Sequence, residues 1–160
     1  MNVALLQLDQ ELLLSELMDA IKQGVLAAGE TPVHVTELNQ ASTFRLAVLG
    51  FSVKKTFFSH QVSDALSRAL KHEFGVPLAV CALSSQSAKA DVANIIQVLG
   101  ERNRIVNTLH IKTQSHLFSR KITETDLIRA KGFGERVTNI VNNVSVRHES
   151  EKQRIRKYLK

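Results

Sequence analysis

The chain has no tryptophan, one tyrosine and one cysteine among its 160 residues. Without tryptophan, a core must be built from Leu, Ile, Val, Ala and Phe, and an apolar share of 44% is enough to form one. Cys81 has no cysteine to pair with and sits in an apolar run, so it reads as a buried, reduced thiol of a cytoplasmic protein. No window reaches the roughly 18 uninterrupted apolar residues of a membrane span. A basic leader is absent, and Asp9 and Glu11 interrupt the first apolar run, so no secretory signal is expected. There is no long repeat, low-complexity tract or Pro/Ser linker.

Chemical signatures are scarce too. No glycine-rich loop of the P-loop or dinucleotide kind is present. Ser84-Ser85 has no histidine or carboxylate close by in sequence to suggest a nucleophile with its base. His60 and His72 are twelve apart and His110 and His116 six apart, spacings that put no two imidazoles on one helix face. The expectation is therefore no metal, no cofactor and no enzymatic activity.

What is present is a lopsided charge. Residues 1–100 carry seven Lys/Arg against nine Asp/Glu, a net −2, whereas residues 101–160 carry fourteen against six, a net +8. Such a split suggests that one end meets a polyanion. A soft domain boundary is placed near residue 103, giving 1–103 as a helical dimerisation or partner domain and 104–160 as a basic domain.

Helical periodicity is visible over residues 9–29, with Leu12, Leu13, Leu17 and Ile21 recurring. Residues 33–38 read as a strand or a helix start, and Ala41–Leu49 as a helix ending at Gly50. Ser59–Phe74 reads as a helix capped by Ser59, with Val62, Leu66, Ala69 and Leu70 on one face. Leu78–Leu83 is a buried strand or a short buried helix. Ser87 then caps a helix carrying Val92, Ile95, Ile96 and Leu99, which stops at Gly100 or runs on through Arg104. The first residues also permit a strand, Val3–Leu8, before a helix at Gln10–Gln23. Ala4 and Leu6 would face outward in it and cannot read base edges, so a packing helix is preferred there.

The segment richest in signal is Thr108–Gln114, followed by an expected helix, the Gly132-Phe-Gly134 break and an amphipathic run bearing Val137, Ile140, Val141 and Val144. Read as a strand, it sends Leu109, Ile111 and Thr113 to a core and His110, Lys112 and Gln114 outward. The first helix, Ser115–Lys131, would use Leu117, Phe118, Ile122, Leu127 and Ile128, although Thr123–Asp126 also looks like a helix start with its acidic capping partner. Strand, helix, glycine break and helix in this order resemble the ribbon-helix-helix DNA-binding proteins, such as the Arc and methionine repressors, over about 40 residues.

That resemblance implies a mainly α fold with a short β ribbon, in which paired ribbons of a homodimer enter the major groove of double-stranded DNA. His110, Lys112 and Gln114 would read bases. Arg120, Lys121, Lys131, Gly134 and Arg136 would hold the backbone, the last two at a helix N-terminus. The chain would be a transcriptional regulator of the kind frequent in bacteria, plasmids and phages, in contact with RNA polymerase or another regulator. A helix-hairpin-helix around Gly132–Gly134 is a second DNA-binding option, and a helix-turn-helix over Arg104–Ile122 a weaker one. The basic segment from Arg147, with Arg154, Arg156, Lys157 and Lys160, would bind phosphates without sequence preference or be solvated. The alternative from another class is a helical adaptor whose basic end binds an acidic partner.

Overall fold

The structure, a computed structural model, describes residues 2–56, 59–60, 63–116 and 119–158; the side chains at 55–56, 59–60, 114–116, 119 and 155–158 are also outside the description. Val3, Ala4, Leu5 and Leu6 are all buried. Such a run suits a strand covered on both faces, and it forms β1 (Asn2–Gln7). The chain then turns into α1 (Leu12–Ala27), whose buried Leu14, Leu17, Met18, Ile21 and Val25 follow helical spacing. Gly29, at φ +81°, supplies the left-handed turn that returns the chain to β2 (Thr31–Val35). A single helical turn, α2 (Leu38–Ala41), leads to β3 (Leu46–Val53).

After β3 come a small antiparallel hairpin, β4 (Lys55–Thr56) and β5 (Ser59–His60), and α3 (Asp64–Lys71). Next are β6 (Leu78–Ser84), a 3-10 turn at Gln86–Ala88 and α4 (Lys89–Arg102). β7 (Ile105–Lys112) precedes a second hairpin, β8 (Gln114–His116) and β9 (Ser119–Lys121). The 35-residue α5 (Glu124–Tyr158) follows.

Five strands form one parallel sheet in the order β2-β1-β3-β6-β7. Alternation along each strand divides the core in two. Val3, Leu5, Val48, Cys81, Leu109 and Ile111 meet α1 and α5 on one face. Ala4, Leu6, Leu49, Phe51, Val80 and Ala82 meet α3 and α4 on the other. The architecture is therefore an α/β sheet covered on both sides, not a mainly α fold with a short β ribbon. The boundary placed near residue 103 falls in the turn between α4 and β7, and the sheet runs across it, with β6 paired to β7.

Several expected elements change identity. The helix expected over Ala41–Leu49 is mostly β3, because Leu46–Phe51 is buried on both faces and so has no polar side to show a period. Helix α3 begins later than expected: Ser63, not Ser59, accepts the capping hydrogen bond, from Leu66 N at 3.2 Å. Val62, placed on its apolar face, lies outside the described residues.

The largest correction is at the C-terminal end. Residues 105–112 form a strand in parallel register with β6 of the same chain, at the edge of a sheet, and not a lone ribbon. The Gly132–Gly134 break is no turn; α5 passes through it without interruption. The late helix start that Thr123 and Asp126 allowed is the one observed. Thr123 N donates to Asp126 Oδ2 and Asp126 N to Thr123 Oγ1, both at 3.1 Å. Leu117 and Phe118, assigned to a first helix, lie outside the described residues.

Candidate functional site

In an open parallel sheet, ligands bind beyond the carboxyl ends of the strands, where the strand order reverses. Here the order reverses around β1, which has β2 on one side and β3 on the other. Two neighbouring sets of polar side chains occupy this end of the sheet.

The first set lies over β1 and β3. Asp9 follows β1, and its Oδ2 accepts from Ser52 N at 2.7 Å and from Ser52 Oγ at 2.9 Å. Its Oδ1 accepts from Glu11 N at 3.2 Å, next to the start of α1. Gln7 Nε2 fixes the loop by donating to Asp9 O and Ser15 Oγ, both at 2.8 Å. Glu11, the N-cap residue of α1, has a side chain only 11% exposed. Its Oε2 is 3.4 Å from Lys54 Nζ and its Oε1 is 3.8 Å from Arg120 Nη1. Lys54 follows β3 and Arg120 belongs to β9, so one carboxylate links the roots of both hairpins.

The second set lies over β6 and β7. Ser84, 2% exposed, ends β6; its Oγ is 2.6 Å from His110 Nε2 and donates to Ser85 O at 3.0 Å. The Ser84 hydroxyl has one proton for these two partners, so the His110 tautomer decides which of the two atoms donates across the 2.6 Å contact. Burial, then the charges of Lys112, Lys89 and Arg129, push the imidazole below its usual titration range. Thr113 N donates to Ser84 O at 2.9 Å, which holds the ends of the two strands together. Ser85 and Ser87 hydroxyls, 3.2 Å apart, lead into α4.

On the far side of β1 there is also a cleft of about 330 Å³, lined by Leu6, Leu8, Thr36–Asn39, Ala65, Arg68 and His72. Among the described residues no cluster of three His, Cys, Asp or Glu is arranged to hold a metal ion, and no helix is long and apolar enough to cross a membrane.

The structure scatters most of the residues chosen as DNA contacts. His110 and Lys112 do stand together on β7, with Leu109 and Ile111 facing the core as the alternation required. They flank β6 in place of a groove. Gln114 is in β8, and its side chain is outside the described residues. Arg120 is spent on Glu11, and Lys121 is exposed on β9.

Lys131, Gly134 and Arg136 are all mid-helix in α5. Gly134 and Arg136 therefore mark no helix N-terminus, and their amides are not free to hold a phosphate. Gly134 is instead buried where α5 meets α1. From Arg147 to Arg154 the helix is exposed, whereas the side chains of Arg156 and Lys157, and Lys160 entirely, lie outside the description. Sequence reasoning passed over Asp9, Glu11, Ser52 and Lys54. The available signal was the strand-then-helix reading of residues 3–23, which would have put Asp9 and Glu11 in a loop between β1 and α1.

No protein-family model matches the chain, and neither does any curated protein. Solved structures do. A flavodoxin from the domain Archaea is 14% identical with a TM-score of 0.63, the match covering 89% of this chain and 99% of that one. Oxidised flavodoxin 1 from Bacillus cereus is 14% identical with a TM-score of 0.64, covering 84% and 95%. The flavodiiron protein from Giardia intestinalis is 14% identical with a TM-score of 0.63, covering 89% of this chain and 36% of that one. At these identities the likeness shows the fold, which is flavodoxin-like. It overturns the resemblance to ribbon-helix-helix proteins. With it go the expected DNA-binding regulator, the adaptor alternative, and the double-stranded DNA, homodimer and polymerase contacts inferred from them. The dimer had been required only to pair a lone ribbon, and β6 meets that need within one subunit.

Proposed function

We propose that this chain is a binding domain on a flavodoxin-like frame, and that it takes a small anionic molecule over the carboxyl ends of β6 and β7. The carrying observation is the cationic surround of His110. Lys112, Lys89 and Arg129 all act on its imidazole, and among the described residues Arg129 alone of the three is paired with a carboxylate, Asp126 at 3.4 Å. Two lysines are left to meet a ligand beside a histidine that is neutral near pH 7. The proposed role is binding without catalysis. Ser84 is 2% exposed, so its hydroxyl is not presented to a substrate as a nucleophile must be.

The neighbours suggest a different ligand, since sheets of this order in flavodoxins carry FMN at the β1/β3 switch point. The residues here do not fit its phosphate. Such a group needs free backbone N–H donors at a helix start. The loop from Leu8 to Glu11 instead presents two carboxylates, and Glu11 N is already bonded to Asp9.

The test is a titration with inorganic phosphate and with succinate, followed by amide chemical shifts. The expected result is perturbation confined to Ser84–Lys89 and His110–Lys112, weakened about tenfold in Lys112→Ala, the loss of one charge-assisted contact. Perturbation spread along Arg147–Arg154, or none at all, defeats the proposal.

A further inference from the structure

The misfit at the switch point has a structure of its own. The first N–H groups of a helix have no partner within it and carry the positive end of the helix dipole, so they attract an anion. At the start of α1 that anion is already supplied by the chain. Asp9 spans the gap between the two strands, taking Glu11 N on the α1 side and both Ser52 N and Ser52 Oγ on the β3 side. These three donors face the place where the strand order reverses.

Glu11 completes the arrangement. Among the described residues, Lys54, after β3, and Arg120, on β9, both reach Glu11. Its Oε2 is buried and makes no hydrogen bond among the described residues, so the Lys54 ion pair at 3.4 Å is what compensates it. A phosphate brought to this position would meet two carboxylates at close range and find the donors and the cations already engaged.

We infer that Asp9 and Glu11 act as a built-in anion that fills the switch-point seat and closes it to phosphorylated ligands, FMN included. The inference does not depend on the proposed anion site at β6 and β7, which uses other residues and is tested by another titration.

The experiment titrates the full chain with FMN and, separately, with riboflavin, which has the same ring system and no phosphate. Flavin fluorescence is the readout. In the wild type, FMN is expected to bind no better than riboflavin. In Asp9→Asn/Glu11→Gln, FMN affinity is expected to rise at least tenfold, with riboflavin unchanged. Glu11→Gln alone keeps the Asp9 hydrogen bonds, so it serves if the double variant fails to give the wild-type circular dichroism; it is expected to show a smaller gain for FMN alone. Wild-type protein that prefers FMN to riboflavin by tenfold or more overturns the inference. So does a folded variant in which FMN gains nothing, because the carboxylates would then not be what closes the seat.

Discussion

Gly24 of α1 and Gly134 of α5 let the two helices touch backbone to backbone. A Cβ on Gly134 would run into the carbonyl of Ile21, and one on Gly24 into the carbonyl of Lys131. Thr138 Oγ1 donates to Gly134 O at 2.8 Å on the buried side of the same turn. The contact is backbone on both sides, so no flexible side chain can yield. Gly134→Ala is expected to cost about 1–3 kcal/mol by overpacking, measured as a lower urea midpoint with an unchanged slope. Unchanged stability would mean that the helices separate freely.

Asp9→Ala removes the acceptor of two backbone N–H groups and of one hydroxyl. The loss is expected to be about 1–3 kcal/mol, the cost of leaving such donors unpaired. Asp9→Asn, which keeps an acceptor oxygen, should recover part of it. A denaturation series of the three proteins checks the order wild type, then Asn, then Ala.

His110 gives a pH dependence whose sign is fixed. Its folded pKa is lowered, chiefly by burial and then by Lys112, Lys89 and Arg129. The unfolded chain therefore binds a proton at higher pH than the folded one. The associated stability is complete above the unfolded value of ~6.5 and is lost as pH falls through the folded value. Proton NMR of the imidazole should show a midpoint below that of a free histidine, and Lys112→Ala should move it upward. A midpoint at or above the ordinary value would remove the cationic surround on which the proposed ligand site depends.

Cys81 is fully buried in β6, and burial raises its thiol to about 12. Native protein should resist an aromatic disulfide reagent at pH 8, and one equivalent should react at once in denaturant. Rapid native labelling would show that β6 is open to solvent.

Part of this fold is legible in the sequence. α1 and α4 show their apolar stripes, and the turn at Gly29 is visible. The inner strands are not. β3 and β6 are apolar on both faces, which erases the alternation that distinguishes a strand from a short buried helix. β1 escapes recognition because Ala4 and Leu6 look like the outward side of a half-buried strand, whereas both are core. The alternation of β7 is legible in that Leu109 and Ile111 face the core, but His110 opposite them is half-buried against Ser84, since pairing direction and partner are long-range properties that seven residues do not encode. The candidate site was harder still. Ser84 and His110 are 26 positions apart and meet only because β6 and β7 pair; Asp9 and Ser52 are 43 apart and meet over the ends of β1 and β3.

The packing of α1 against α5 ties the order of synthesis to the order of folding. Leu14, Leu17, Ile21 and Val25 gain their cover on one flank from Ala130, Phe133, Val137 and Val141. On the ribosome, more than a hundred residues emerge between one group and the other, and for that interval the first helix carries a sticky, uncovered flank. A chain cut short before residue 130 would leave that flank of α1 without its cover.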